Sequence, residues 1–329
     1  MKTLSIFIFS TFIVLVSIYL LSCLKYRICT FLGQQTHLKG RTILLLPISN
    51  SIKMLSKLNY EDDELNFTDF ITSIFAVCPV LTIFCLFFSN AFKNGDNISL
   101  NILTILTLAL ISFISMFLAI FLNKKNTVQI GAMRFALQAL NLVIPLIVSI
   151  STVSIMAGSL NLDEIIQTQA SQNGIFGWFF IPGILACASF FACILIFLNT
   201  SSQNPENLLY NELSDYTKKS CGTDAALLLL SKNLLILAGL VLMVFLFFGG
   251  GLNPFGVWFL PDAFILFEQF IWVALKALFI AAALFFAKEI IVKAHYKRVL
   301  DFIQNIILPL SLINLVITLI IQYNMCLKP

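Results

Sequence analysis

Long apolar stretches fill most of this chain, and they contain almost no carboxylates. Of its 329 residues, 59% are hydrophobic and only 11% are charged, and the mean hydropathy is +0.97. A soluble domain cannot hide so much apolar surface, so most of the chain must have lipid as its solvent. Each stretch has about the length of the ~20 apolar residues that a membrane-spanning helix needs. The runs are continuous, whereas the residues of a barrel strand alternate.

These stretches predict an all-α, polytopic membrane helix bundle of about eight transmembrane helices, in a single domain over residues 1–329. The predicted spans are 4–24, 68–90, 99–123, 130–156, 175–198, 225–249, 264–287 and 303–323. The long segments between spans are 25–67, 199–224 and 288–302. In the first segment, Leu44 to Ile48 and then Ile52 stand against Lys53 and Lys57. This pattern predicts a short amphipathic helix at the membrane interface or under the bundle.

The basic residues are distributed unevenly between the two sides of the predicted bundle. Most of those outside the spans follow spans one, three, five and seven: Lys25, Arg27, Lys39, Arg41, Lys53, Lys57, Lys124, Lys125, Lys218, Lys219, Lys288, Lys293, Lys297 and Arg298. The positive-inside rule therefore predicts that these segments are cytoplasmic and that both termini lie on the non-cytoplasmic side.

Several classes of site are disfavoured by the sequence. The eight cysteines form no CxxC pair and only two histidines are present, so metal-ligand spacing is absent. No nucleotide, flavin or cluster motif occurs. We therefore expect no catalytic residue, no metal, no redox centre and no bound cofactor on this chain, and no nucleic-acid partner.

A polar stripe opens the fourth predicted span. Gln138 follows Arg134 by four residues, so both lie on a similar side of the helix, and Asn141 continues that side. These residues could line a polar cavity near the cytoplasmic surface. Alternatively, the Arg134 side chain extends to the lipid headgroups while the two amides bond between helices. The sequence leaves both interpretations open.

Three further charged residues lie at membrane depth. Lys232, Lys276 and Glu268 are costly there and are candidate coupling residues. Each lysine needs a partner, but Glu268 lies about 12 Å from Lys276 by helical rise, so the two should not pair directly. A proton path usually needs a series of carboxylates or histidines, and this chain has no such series. The composition therefore argues against autonomous proton pumping.

Motifs along nearly the whole chain resemble one family, the H subunit of proton-translocating NADH-quinone oxidoreductase (respiratory complex I), which is the counterpart of mitochondrial NADH dehydrogenase subunit one. The motifs, in chain order, are Leu44 to Ile48 with Lys53, Gly131-Ala132-Met133-Arg134 with Gln138, Met156 to Leu162, Leu246 to Gly250, Lys276, and Leu308 to Leu315. The resemblance implies a membrane-arm subunit, most simply in a bacterial cytoplasmic (inner) membrane.

The departures from that family remove carboxylates. The family's Glu-Arg-Lys run after span one corresponds to Cys23-Leu24-Lys25, its first-loop Asp to Asn50, its Tyr-Glu pair in span four to Leu142-Val143, its Glu-Thr-Asn-Arg stretch to Asn199 through Ser202, and its Glu in span six to Lys232. The chain therefore resembles a divergent member in which most of the coupling carboxylates are lost.

The resemblance implies a contribution to a quinone tunnel and to docking of the peripheral redox arm. By position, Arg134, Gln138, Asn141, His37, Lys39 and Arg41 would approach the quinone. Flavin and iron–sulfur clusters would belong to partner subunits, and any translocase activity to the assembly. One alternative is a degenerate structural or assembly paralogue without quinone chemistry. A second is a small-solute transporter in which Lys276 and Arg134 bind an anion.

Overall fold

The computed structural model describes residues 2–32, 40–55, 67–91, 101–122, 126–170, 177–199, 222–254, 265–290 and 296–326. The helices are α1 (Lys2–Phe31), α2 (Gly40–Leu55), α3 (Phe67–Ala91), α4 (Ile102–Phe121), α5 (Asn126–Ala157), α6 (Leu162–Ala170), α7 (Ile184–Asn199), α8 (Gly222–Phe247), α9 (Ile265–Ile290), α10 (Tyr296–Phe302) and α11 (Leu308–Cys326). Within these ranges the only β pairing is an isolated bridge between Asn101 and Asn161.

The prediction of an all-α polytopic membrane bundle is confirmed. Six of the described helices are long and apolar enough to cross a membrane, and Ile71–Phe87 and Ile184–Asn199 are shorter apolar helices. The number eight and the sidedness of the termini stay predictions. The helix α2 lies where the sequence predicted a short helix, and it packs against α1 and α8.

Three of the helix ends that differ from the predicted spans bear on the sites described below. The helix α1 continues past Leu24 to Phe31, and α9 continues to Ile290, because polar residues at the membrane surface extend a helix beyond its apolar run. The helix α7 begins only at Ile184, after turns at residues 177–183. The cause is Pro182, which fits the first turn of a helix and disfavours helical backbone in the residue before it.

The centre of the bundle is α8. Within its apolar span 61% of the residues are buried, against 17% for α1 at the periphery. The helix α8 packs against α3, α7, α9 and α2, while α5 packs against α4, α7 and α11. Buried Phe190 and Phe247 meet between α7 and α8 with their ring centroids 5.9 Å apart. These contacts place α1 and α9 at one flank of the bundle and α5 and α11 at another.

The bundle has two distinct ends. At one end, Ile102 N donates to Leu160 O, and Phe180 N donates to Phe247 O. We call it the glycine-turn end, because the backbone φ is positive at Gly158, Gly249 and Gly250. The opposite end, where the last turns of α1 and α9 meet, carries Lys25, Arg27 and Lys288, and we call it the basic end.

A π-helical turn at Ile303–Ile307 separates α10 from α11. It precedes Pro309, whose ring would clash with the carbonyl four residues earlier and which supplies no backbone donor. The wider turn accommodates this defect and turns Gln304 toward α5, where its amide reaches Asn141. The helices α10 and α11 therefore remain continuous along α5.

Candidate functional site

The basic end holds a cluster of polar side chains from α1 and α9, which we call the basic-end cluster. Cys29 Sγ donates to Glu289 Oε1 at 3.5 Å, joining residues far apart in the chain. Lys25 precedes Cys29 by one helical turn and interacts electrostatically with both Cys29 and Glu289. Lys288, beside Glu289, interacts electrostatically with Cys29. A thiol, a carboxylate and two ammonium groups therefore share a half-buried site.

The helix α2 is attached to the same end of α1 by two tyrosines. Asn50 Nδ2 donates to Tyr26 Oη at 2.9 Å, and Tyr19 Oη donates to Leu44 O at 2.8 Å. The Tyr26 hydroxyl accepts from Asn50 and keeps its own hydrogen as a donor. These contacts add Tyr26 and Asn50 to the basic-end cluster, which thus combines amide, phenol, thiol and carboxyl groups beside apolar helices.

A different arrangement surrounds Lys276, which is 8% exposed. Its ammonium donates to Phe248 O at 2.8 Å, Gly250 O at 2.9 Å and Leu252 O at 2.7 Å. It also lies 4.2 Å from the centroid of the Trp178 ring. All three ammonium hydrogens therefore have backbone acceptors, and the positive charge lies near the C-terminal end of α8, where the helix dipole favours it. We call this arrangement the lysine socket.

Glu268 holds the same turn from the other side. It is 4% exposed, and its Oε1 accepts from Asn253 Nδ2 at 3.4 Å. Glu268 and Lys276 thus bind different parts of the same turn. Both attach the turn after α8 to α9.

Lys232 lies apart from these groups. It is 1% exposed on α8, and its Nζ is 5.6 Å from the centroid of the Phe197 ring on α7. This distance is within the range of a cation–π interaction. The Lys232 side chain is therefore enclosed by the packed centre of the bundle.

The three predicted residues of α5 diverge in the structure. Arg134 is exposed on a side of α5 that also exposes Met133 and Leu137, whereas Gln138 is buried. Asn141 Nδ2 donates to Leu137 O at 2.8 Å, and Asn141 Oδ1 accepts from Gln304 Nε2 at 2.9 Å. Asn141 thus makes a bond between helices, while Gln138 lies in the interior of the bundle.

Most of the other residues predicted to approach the quinone lie outside the part of the chain that the structure describes. His37 and Lys39 fall outside the described residues, as does most of the segment 199–224. Arg41 lies in α2, but its side chain is not described. In the part of the chain that the structure describes, no group of three or more His, Cys, Asp or Glu side chains could hold a metal ion.

A cavity of about 810 Å³ lies between α1 and α9, and we call it the α1–α9 cavity. Its walls also include residues of α3, α6 and α8. Arg134, Gln138 and Asn141 are not among the residues that line it. The structure therefore does not bring the predicted residues of α5 to this cavity.

The sequence reasoning missed the basic-end cluster because it ended the spans at the last apolar residue. Cys29 and Glu289 both lay outside the predicted spans 4–24 and 264–287, and their contact joins residues near opposite ends of the chain. A usable signal was present, since Lys25 and Cys29 are one turn apart and continue α1 without a helix breaker.

The family model that matches this chain and its relatives in sequence indicate the same family. The family model described as NADH dehydrogenase matches residues 4–319. The chain is 27% identical over 288 residues to the H subunit of NADH-quinone oxidoreductase from Dehalococcoides mccartyi, covering 84% of this chain and 73% of the relative. It is 24% identical over 277 residues to the H subunits of the same enzyme from Vesicomyosocius okutanii and from Ruthia magnifica, covering 82% of this chain and 75% of each relative.

A solved structure has a similar fold. It is a chain of the membrane-bound sulfane sulfur reductase, an archaeal respiratory membrane complex, with a TM-score of 0.72 and 16% identity. The match covers 95% of this chain and 99% of that chain. Together with the membrane-length helices, these relatives identify the chain as an integral membrane protein.

Proposed function

Because this chain belongs to the NADH dehydrogenase family, as a relative of the H subunit of NADH-quinone oxidoreductase, we propose that it is a membrane subunit of a complex I-like assembly. In this proposal the chain contributes part of a quinone tunnel and a docking surface for the peripheral redox arm. Most of the coupling carboxylates are lost. The observation that carries the proposal is the family match over residues 4–319, nearly the whole chain.

The basic-end cluster is the part of the chain best suited to meet a quinone headgroup. Its Tyr26 hydroxyl and Asn50 amide can donate hydrogen bonds to quinone carbonyls. Asn50 also stands where the resemblance expects an Asp. The abundance of basic residues at this end supports a cytoplasmic location, which is where the redox subunits of the assembly would dock.

In the proposed reaction, this chain orients the quinone and supplies protons locally, while electrons come from partner subunits. Glu289 is the carboxyl group nearest to the headgroup position, beside the Cys29 thiol and within the field of Lys25. His37, Lys39, Arg41, Arg134 and Gln138 remain tunnel residues by resemblance. Lys232, Lys276 and Glu268 remain candidate coupling residues by position.

A photoreactive quinone analogue tests the proposal on the tagged chain with every subunit that co-purifies on a native gel. We expect label on peptides of α1, α2 and α9 near Tyr26, Asn50 and Glu289. Tyr26→Phe removes one donated hydrogen bond, so labelling and quinone turnover should fall about tenfold. Tyr323→Phe is the matched control, because Tyr323 is exposed on α11, and it should change neither.

The other outcomes distinguish the alternatives. Co-purification with redox subunits but no label at any peptide would contradict the tunnel and favour the structural paralogue. Solute uptake by proteoliposomes that contain only this chain would favour the transporter. Arg134→Ala should weaken quinone turnover if the resemblance holds at α5, and unchanged turnover in a normally assembled complex would remove Arg134 from the site.

A further inference from the structure

The α1–α9 cavity is polar at one end and apolar along the rest of its length, as a lipid is. Its polar lining lies mainly at the glycine-turn end, where Asp163 and Gln167 of α6 face Gln269 of α9. Farther along the bundle the lining includes Leu20, Leu237 and Leu278. We propose that this cavity binds one phospholipid from the membrane leaflet at the glycine-turn end, with an amine-bearing headgroup beside Asp163 and an acyl chain among the leucines.

Helix geometry makes the cavity accessible from lipid. The helices α1 and α9 contact each other at the basic end through Cys29 and Glu289, and toward the other end the cavity lies between them. The outer edges of this opening are apolar, since Phe12 is 64% exposed and Leu278 is 37% exposed. A lipid chain can therefore enter sideways from the bilayer without crossing a polar surface.

The size of the cavity favours a lipid over a helix of another protein. A volume of about 810 Å³ lies within the range of roughly 300–1,000 Å³ that holds small molecules. A helix with its side chains is a rigid cylinder about 10–12 Å wide, whereas one acyl chain of a lipid can enter while the second chain stays in the bilayer. An acyl chain is thinner and adapts to the irregular apolar walls. We therefore commit to a bilayer lipid as the occupant.

Charge complementarity selects the headgroup. Among the described residues that line the cavity, Asp163 is the one that carries a formal charge. Its carboxylate attracts an ammonium group and repels a phosphate that has no compensating cation. A phosphatidylethanolamine headgroup therefore suits this end better than the anionic phosphatidylglycerol.

The test uses the full chain with its co-purifying subunits, first stripped of endogenous lipid in detergent. Equal amounts of dioleoyl phosphatidylethanolamine and dioleoyl phosphatidylglycerol are then added, and the retained lipid is counted by native mass spectrometry. We expect one phosphatidylethanolamine per chain that resists dilution, preferred about fivefold, the effect of roughly one charge interaction at a membrane surface.

Two variants and one control variant assign the lipid to the cavity. Ala274→Phe places a ring in the cavity and should abolish retention, whereas Leu275→Phe should not, because Leu275 is the exposed neighbour outside the lining. Asp163→Asn should keep a lipid bound but lose the headgroup preference. This second variant keeps the proposal testable if Ala274→Phe does not fold, which its melting temperature would reveal.

Several results would overturn the proposal. They are a preference for phosphatidylglycerol, an unchanged preference in Asp163→Asn, equal retention in a folded Ala274→Phe variant, displacement of the lipid by a short-chain quinone, and a cross-link from position 274 to a helix of a partner subunit. The inference needs only the membrane fold, so failure of quinone labelling at the basic end would leave it standing.

Discussion

The lysine socket and the basic-end cluster both hold ammonium groups on or beside α9. They differ in the groups that interact with those ammonium groups. In the socket, three backbone carbonyls accept the three hydrogens of Lys276. In the cluster, Lys25 and Lys288 share the field of a half-buried carboxyl group and a buried thiol. The first arrangement has no titratable acceptor, and the second has two.

The difference indicates which charged site can take part in chemistry. Backbone carbonyls cannot take up or release a proton, so the lysine socket offers no titratable acceptor, and its three hydrogen bonds stabilise one geometry of the turn after α8. The basic-end cluster contains side chains that exchange protons and can rearrange around a ligand. We therefore expect substitutions in the socket to lower stability, and substitutions in the cluster to lower quinone turnover.

Lys276→Leu should have the largest effect on stability. It leaves the carbonyls of Phe248, Gly250 and Leu252 without their ammonium donor, at a cost of about 3 kcal/mol in the free energy of unfolding. Thermal unfolding in a fixed detergent measures this. Phe279→Leu is the control on the same helix, because Phe279 is 73% exposed. If Lys276→Leu assembles better than the parent chain, the ammonium was a burden rather than a structural bond.

Gly249→Ala should come next, at about 2 kcal/mol. Gly249 has φ +69°, where an L side chain costs about 1 kcal/mol or more, and an added Cβ would lie 2.8 Å from Trp178 Nε1. Gly158→Ala separates the two causes, because Gly158 has φ +70° but nothing within 4 Å of the added Cβ. Equal melting temperatures for the two variants would show that Trp178 yields without cost.

Glu289→Gln should lower quinone turnover and leave the free energy of unfolding almost unchanged, which is the reverse of the socket substitutions. The carboxyl is half-exposed, so its charge contributes less than about 1 kcal/mol to stability, while quinone turnover should fall about tenfold if Glu289 bonds to the headgroup. Asp301→Asn controls for loss of an exposed carboxylate near the same end of the bundle. Turnover equal to that of the parent complex would remove the carboxyl from the quinone site.

Asn141→Ala should have the smallest effect, about 0.6 kcal/mol, the average for a hydrogen bond between transmembrane helices. It removes the contact with Gln304 on the π-helical turn. Leu140→Ala, at a 62% exposed position of the same helix, is the control. A loss above about 2 kcal/mol would mean that the amide pair supports more of the α5–α11 interface than one bond.

The fold could be predicted from the sequence because the apolar runs have the length that a bilayer demands, and helices are then the simplest way to satisfy the backbone. The depth of Lys276 was equally readable. Its acceptors were not, since the carbonyls of a glycine turn leave no trace in side-chain chemistry. The contact between Cys29 and Glu289 required knowledge of how α1 and α9 cross.

Arg134 shows a finer limit of the same reasoning. Residues four apart on a helix differ by about 40° in direction. That angle suffices to place Arg134 on an exposed surface and Gln138 in the interior. Two residues that share a stripe in the sequence therefore differ in burial in the structure. The packing of α5 against its neighbours decides where the exposed surface of the helix ends and its buried surface begins.

The lysine socket also constrains how the chain enters its membrane. An isolated apolar segment with a lysine near its centre inserts at a penalty of roughly 3 kcal/mol. The acceptors for Lys276 lie at the end of the preceding segment, 24 to 28 residues upstream. The two segments are therefore expected to leave the translocon together as one hairpin, so that the ammonium already has its acceptors when it first meets hydrocarbon.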